Sequence, residues 1–205
     1  CAYARANSVY FPGFVVPMLP HALSSRICSL VEGEDRLTQT AVMEIDLQGL
    51  IVKADFFDGV IKSSAKLSYK DAQAILDGDR EVRTRFAHAV KTVEVSRDLA
   101  LVLNQARKDR GSLDFDLPEP ELQLNPLGIV ENITSNPRLF AMRMVEEFML
   151  VTNESVAKAL SSQDVATLYR VHESPDPDRL EEYLQLVRTF GYDVTANLDH
   201  PHGKD

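Results

Sequence analysis

The chain has 205 residues, of which 44% are hydrophobic and 26% charged, a composition typical of a folded globular protein with one sizeable core or two small ones. Its net charge of −9 argues against a broad basic surface that coats nucleic acid, although a narrow, locally basic channel stays compatible with it. No apolar run in the sequence approaches the length of a membrane span.

The first residues suggest that part of the natural protein precedes them. The chain opens on Cys1 instead of Met, and the segment from Cys1 to Arg5 has neither the basic start nor the apolar centre of a signal peptide. We therefore expect the true N-terminus to lie upstream. Cys1 and Cys28 are not in a paired metal-ligand spacing, so we expect reduced thiols and an intracellular, cytoplasmic protein.

The first third of the chain predicts extended structure. Prolines and a glycine among aromatic residues predict an irregular, partly buried segment over residues 5–20. A short helix is predicted over 21–30. Alternating apolar residues then predict a hairpin with strands over 37–46 and 50–61, and residues 62–67 are a candidate for a further strand.

The middle of the chain predicts helices and then a sheet. Ser68 and Asp71 form a capping-box pattern for a helix that Gly78 stops. Helical spacing over residues 80–108 predicts a long amphipathic helix, with room for a kink, that ends at Gly111. Short strands of an antiparallel sheet are predicted between prolines over 113–117, 121–124 and 128–134.

The stretch 136–160 is predicted to be a central helix, because its apolar residues form one continuous stripe and it opens on an Asn-Pro pair. Glu146 and Glu147 lie in its middle. Successive helical residues point about 100° apart, so at most one of the two can face solvent squarely. The other carboxylate is either bonded to a partner such as Arg138 or Arg143, or placed for a ligand; periodicity alone favours the first.

After the central helix the sequence predicts a brief strand over 168–172 and a last helix that begins at the Pro-Asp-Pro segment 175–177 and runs to Phe190. No internal repeat and no linker interrupts the pattern. The elements together predict a single α+β unit, in which antiparallel strands pack around a long central helix.

The sequence contains few residue patterns that would indicate metal-ion or acid–base catalysis. The sequence has no nucleophile elbow, no phosphate-binding glycine loop and no paired His/Cys spacing. Acidic clusters could in principle hold metal ions, but turns and solvated helix faces are the more common setting for them. His172 could act as a base, although a structural hydrogen bond is the more common role. The acidic clusters are Glu32/Glu34/Asp35, Asp114/Asp116, Glu146/Glu147, Asp176/Asp178 and Glu181/Glu182.

Tyr10 and Phe115 point to a different chemistry, the stacking of bases. Both lie in segments that are loop-like or short-stranded, where an aromatic ring can stand out from the backbone. Stacking of a nucleobase on such a ring is worth about 1–3 kcal/mol and does not depend on base identity. The alternative, that both rings belong to the core, stays open at this point.

Several sequence blocks, taken together and in order, resemble the catalytic domain shared by bacterial ribonuclease II and ribonuclease R, the RNB domain. They span nearly the whole chain, and as a set they are specific to that family. The blocks are Ser8-Val9-Tyr10-Phe11-Pro12, Val16-Pro17-Met18-Leu19-Pro20, Leu23-Ser24, Cys28-Ser29-Leu30, Ile61-Lys62-Ser63, Ala65-Lys66-Leu67-Ser68-Tyr69, Arg110-Gly111-Ser112-Leu113-Asp114-Phe115, Val145-Glu146-Glu147-Phe148-Met149 with Asn153, and Tyr169-Arg170-Val171-His172.

The resemblance implies a processive exoribonuclease that degrades single-stranded RNA from its 3′ end and releases nucleoside 5′-monophosphates with Mg²⁺. Tyr10 and Phe115 match the two aromatic rings that clamp the terminal bases in this family. Glu146 matches a glutamate that contacts the terminal nucleotides. Arg110 lies in one of the blocks, and we expect it to contact the RNA backbone.

The resemblance also predicts what these residues lack. The family's magnesium-binding aspartates lie upstream of the Ser-Val-Tyr block, and its catalytic arginine and a further acidic residue lie downstream of the matched region. We therefore expect residues 1–205 to be the middle part of an RNB catalytic domain, with no catalytic residue or metal ligand of its own and inactive alone. We expect it to be monomeric, to bind single-stranded RNA and to have no membrane contact.

Two alternatives remain open. The first is a catalytically dead relative that binds RNA or a protein partner and acts as a regulator. The second is an α+β domain without any role on RNA, which would require all the matched blocks to be coincidence.

Overall fold

A computed structural model of the chain describes residues 2–113, 119–136, 138–171, 175–192 and 194. The strands are β1 (Val9–Phe11), β2 (Phe14–Val16), β3 (Asp35–Ile45), β4 (Ile51–Lys62), β5 (Glu119–Leu124) and β6 (Val130–Asn136). The α-helices are α1 (Ala2–Arg5), α2 (Tyr69–Asp77), α3 (Arg80–Arg85), α4 (Ala87–Asp109), α5 (Phe140–Ser162) and α6 (Pro177–Thr189). A π-helical turn over Leu23–Ile27 lies within the region predicted to be a short helix.

The described strands form three antiparallel hairpins, β1–β2, β3–β4 and β5–β6. The long β3–β4 hairpin confirms the predicted one. Its turn is closed by Asp46, whose Oδ1 accepts hydrogen bonds from the backbone N–H groups of Gln48 (2.9 Å) and Leu50 (2.8 Å). Gly49 in this turn has φ +79°, and a Cβ atom added there would lie 2.8 Å from the Cβ of Ala106. The turn is therefore packed directly against α4.

The prediction of α2 from its capping-box residues and Gly78 is confirmed. The side chain of Ser68 accepts a hydrogen bond from the backbone N–H of Asp71, and the Asp71 carboxylate accepts one in return from the backbone of Ser68. The helix ends at Gly78 in the left-handed conformation (φ +87°). The kink foreseen in the next helix is a break at Phe86 (φ −111°, ψ +35°), which separates α3 from α4.

The core lies where α2, α4 and α5 meet. Ile75 of α2 and Ala141 of α5 are fully buried, and Leu103 of α4 is 6% exposed. The β3–β4 hairpin covers the second half of α5, where the hydroxyl of Ser155 donates to the sulfur of Met43 at 3.1 Å. The structure thus confirms an α+β fold in which antiparallel strands surround a long central helix.

Two predictions near element boundaries were wrong. The central helix begins at Phe140, because Asn136 still pairs with Glu119 at the end of β6; strand pairing overrides the helix-start signal of the Asn-Pro sequence. The irregular segment predicted over residues 5–20 is wrong for residues 9–16, which form the hairpin β1–β2. Pro12 and Gly13 (φ +85°) fall in its turn, where Pro followed by a glycine with positive φ is favourable. The segment is mostly exposed, with residues 8, 9 and 16–18 half-buried.

Three strand predictions have mixed outcomes. Beyond β4, Ser63 forms only an isolated parallel bridge to Glu32, so a strand over 62–67 was wrong. Residues 168–171 form no strand, and 172 lies outside the described residues. Most of the predicted strand 113–117 also lies outside them. Among the described strands β5 pairs with β6 alone, and an edge strand of this kind can accommodate Pro120.

The last helix matches its prediction, beginning after Asp176, which accepts a hydrogen bond from the backbone N–H of Asp178 at 3.0 Å. Within the part of the chain that the structure describes, no helix is both long and apolar enough to cross a membrane.

Candidate functional site

Tyr10 lies in the middle of β1, opposite Val15 of β2, and its side chain is 77% exposed. The neighbouring rings of Phe11 and Phe14 stack on each other, with centroids 4.8 Å apart and planes 14° from parallel. Because side chains alternate between the two faces of a hairpin, Tyr10 lies on the face opposite this stack. The ring of Tyr10 is therefore open to solvent on a structured support, as stacking on a base requires.

The β1–β2 hairpin is held at both ends. At its base, the backbone N–H of Met18 donates to the hydroxyl of Ser8 at 3.0 Å, and Arg5 donates to the carbonyl oxygen of Pro17 at 3.0 Å. At its tip, a Cβ atom on Gly13 would lie 3.4 Å from a methyl group of Leu124 at the end of β5. The first two contacts close the base of the hairpin that carries Tyr10, and the third places its tip beside β5.

The two adjacent glutamates of α5 have opposite environments. Glu146 is exposed, and its carboxylate accepts a hydrogen bond from Arg138 at 3.0 Å. Glu147 is 5% exposed. The structure thus confirms that one of the two faces solvent and the other the core, and it identifies Glu146 as the carboxylate that a ligand can reach.

Three donors bind one oxygen of the buried Glu147. Its Oε1 accepts from Asn104 Nδ2 at 2.7 Å and from Arg107 Nη2 and Nε at 2.8 and 3.3 Å. Burial raises the pKa of this carboxyl. The hydrogen bonds from Arg107 and Asn104, with the charges of Arg107 and Arg143, outweigh that effect and hold the pKa below its ordinary value. Glu147 is therefore an ionised structural group.

Arg110 lies at the C-terminal end of α4 and forms a two-point ion pair with Glu154 of α5, at 3.1 and 3.3 Å. Both side chains are partly exposed. A phosphate could reach Arg110 only in exchange for this carboxylate or beside it. Phe115, the second predicted stacking ring, lies outside the described residues.

A small cavity borders this region between α4, α5 and the β3–β4 turn. It measures about 60 Å³, and its lining includes Gly49, Arg107, Glu147 and Glu154. One water needs roughly 10–15 Å³ on this measure, so the space has room for a few waters and is too small for a nucleotide. Glu146 is exposed and does not line this cavity.

No group of three or more His, Cys, Asp or Glu side chains in the described ranges is arranged to hold a metal ion. Asp114, Asp116 and His172 lie outside those ranges. The described residues therefore do not fit a magnesium site.

Arg107 and Asn104 are the residues that sequence reasoning missed. It offered Arg138 or Arg143 as partners for the buried carboxylate. Arg138 binds Glu146, and Arg143 acts on Glu147 through its charge. The hydrogen-bonded partner of Glu147 is Arg107, which lies 40 residues earlier. One signal was available. Asn104 and Arg107 lie three residues apart, so they share one helix face, at the edge of the stripe that buries Ala100 and Leu103.

Comparison with known proteins gives a consistent assignment. The family model for the RNB domain matches residues 1–203. Ribonuclease R of Aquifex aeolicus is 37% identical over 193 residues, which cover 94% of this chain and 27% of that protein. Ribonuclease R of Escherichia coli is 32% identical over 201 residues, covering 98% of this chain and 25% of that protein.

The backbone of this chain is also similar to those of solved structures. Mycoplasma genitalium RNase R in complex with ribose methylated single-stranded RNA superposes with a TM-score of 0.88 at 27% identity, over 97% of this chain and 31% of that one. Yeast Ssd1, a pseudonuclease, shares the fold with a TM-score of 0.70 at 17% identity, over 95% of this chain and 24% of that one. The chain spans about a quarter to a third of the length of these relatives. By the family match along nearly its entire length, the chain belongs to the RNB domain family.

Proposed function

We propose that this chain is part of a processive 3′-to-5′ exoribonuclease that hydrolyses single-stranded RNA to nucleoside 5′-monophosphates with Mg²⁺. In this proposal the chain supplies part of the wall of the RNA channel and the clamp for the 3′-terminal bases. The observation that carries it is the exposed ring of Tyr10 on an anchored hairpin, in a chain whose relatives are ribonucleases R.

Each proposed contact uses a group that the structure presents at the surface. The Tyr10 ring offers a face on which a base can stack without regard to its identity. The Glu146 carboxylate can accept hydrogen bonds from ribose hydroxyls or from base N–H groups. Arg110 can donate to a phosphate when it exchanges with Glu154. Phe115 is proposed as the second ring of the clamp.

The catalytic chemistry is assigned to other parts of the protein. When bound, magnesium would stabilise the charge that develops on the phosphate and activate the attacking water, with ligands from outside this chain. The 205 residues alone are therefore expected to bind RNA weakly and not to cleave it. We further propose that the intact protein is a cytoplasmic monomer.

The test removes the clamp from the full-length protein that carries this chain. The double variant Tyr10→Ala/Phe115→Ala should degrade 5′-labelled single-stranded RNA to a final product of different length, because the last nucleotides are no longer gripped. Tyr183→Ala is the matched control, since Tyr183 is an exposed tyrosine on α6 outside the family's sequence blocks. A final product identical to that of the unaltered protein would rule out the clamp.

A second candidate is a catalytically inactive RNB protein that binds RNA and regulates. It is favoured by the likeness of this fold to a pseudonuclease, which indicates that the architecture persists without nuclease activity. The same assay separates the two proposals. The inactive protein would retain labelled RNA at full length in the presence of Mg²⁺, whereas the exoribonuclease would shorten it.

A further inference from the structure

Arg107 connects three parts of the structure near the proposed RNA contacts. It starts from the last turns of α4, and its Nη2 donates to Glu147 on α5 at 2.8 Å. Its Nη1 donates to the hydroxyl of Ser112, which follows α4, at 2.5 Å, while its own carbonyl oxygen accepts from the backbone N–H of Ser112 at 3.2 Å. The Arg107 side chain is only 18% exposed, and its hydrogen bonds to Glu147 and Ser112 hold it in place.

The bond from Arg107 to Glu147 restrains the rotation of α5 about its axis. Glu147 is buried, and a buried carboxylate cannot leave its donors without a large loss in solvation. Glu146 precedes it and points about 100° away around the same helix. Any rotation that carried Glu147 away from Arg107 would therefore swing Glu146 out of its present position beside Arg138.

We propose that Arg107 is a positioning residue for RNA binding, which holds the buried carboxylate of Glu147 and so fixes the direction in which Glu146 faces the RNA. This inference rests on the proposed function. Asn104 supports the same carboxylate through its hydrogen bond of 2.7 Å. A lysine at 107 would keep the charge, but it would lose the planar fork that reaches Glu147 and Ser112 together.

The test is a double-mutant cycle between Arg107 and Glu146 in the full-length protein. The dissociation constant of a fluorescein-labelled single-stranded oligoadenylate is measured by anisotropy, with EDTA present to prevent cleavage. Arg107→Lys and Glu146→Gln are each expected to weaken binding about tenfold. In the Glu146→Gln background, Arg107→Lys should weaken it further by no more than about twofold, because the contact that Arg107 positions is already lost.

A general loss of structure would give a different pattern. In that case Arg107→Lys would cost the full factor in both backgrounds, and such additivity would overturn the inference. The control Arg83→Lys alters another half-buried arginine, which binds Glu94 at 2.8 Å. Glu94 lies on α4, about 20 Å along the helix axis from Arg107. It should destabilise the protein without changing the dissociation constant; equal weakening by Arg83→Lys would also overturn the inference.

If Arg107→Lys does not fold, as judged by circular dichroism, Asn104→Ala replaces it in the cycle, with a smaller effect and the same dependence on Glu146. The inference and the proposed function fail in distinguishable ways. Binding that weakens in Glu146→Gln but not in Arg107→Lys or Asn104→Ala refutes the positioning role and leaves the proposed function intact. Binding that Glu146→Gln does not weaken refutes the RNA contact of Glu146 and the inference with it.

Discussion

Neighbouring residues of identical chemistry take different roles in α5. Glu146 stays at the surface with Arg138, and Glu147 is enclosed by Asn104 and Arg107. The helical repeat predicted that the two glutamates would differ in exposure, because adjacent positions on a helix point in different directions. Which arginine would meet the buried carboxylate could not be read from the sequence, since that partner lies on another helix and only the packing of α4 on α5 brings it near.

The low pKa of Glu147 makes stability depend on pH in a defined direction. In the folded state the carboxyl holds its proton less tightly than in the unfolded chain, so unfolding takes up protons on the acid side. The stabilisation is complete above the ordinary value of about 4.5 and is lost as the pH falls through the folded-state pKa. The free energy of unfolding should therefore decline below about pH 4.5 partly because of this group.

The variant Glu147→Gln tests this. At neutral pH it should lower the free energy of unfolding by about 3 kcal/mol, measured by urea denaturation, because the largely covered guanidinium of Arg107 loses its carboxylate partner. The difference from the unaltered protein should shrink in acid. Glu154→Gln is the control, because the exposed pair with Arg110 contributes less than about 1 kcal/mol. A difference that stayed constant with pH would contradict the ionised pair.

Helices and strands marked by residues close together in sequence could be predicted. Boundaries that depend on contacts between distant parts of the chain could not. The capping box of α2 and the alternation of β3–β4 depend on residues close in sequence, and both matched the structure. The start of α5 was displaced because β6 extends to Asn136 through pairing with β5. The exposed position of Tyr10 agrees with a ring that stands out from the backbone, while its contact with RNA stays a prediction.

The packing of the β3–β4 turn against α4 can be tested at Gly49. An alanine there would meet the Ala106 Cβ at 2.8 Å and the Val102 carbonyl oxygen at 3.1 Å, besides the strain of φ +79°. We expect Gly49→Ala to reduce the free energy of unfolding, measured by urea denaturation, by about 2–4 kcal/mol.

Gly33→Ala is the matched control for this substitution. Gly33 has a similar φ of +75° with nothing within 4 Å of the added atom, so only the backbone strain of about 1–2 kcal/mol should appear. Equal losses in the two variants would mean that the turn does not touch α4.

For the whole molecule, fold and activity are separate questions. Its backbone matches a ribonuclease R bound to RNA, and it also matches a pseudonuclease, so the architecture alone does not decide between cleavage and binding. The net charge of −9 is compatible with RNA contacts that are local, and it argues only against a broad basic surface. Only an activity assay on the intact protein can decide between cleavage and binding.

The most direct measurement follows RNA labelled at its 5′ end through time with the full-length protein and Mg²⁺. The proposed exoribonuclease should shorten the labelled strand progressively from its 3′ end and release nucleoside 5′-monophosphates, until a short product remains. Labelled RNA that stays at full length while bound, or that is cut internally into large pieces, would contradict the account.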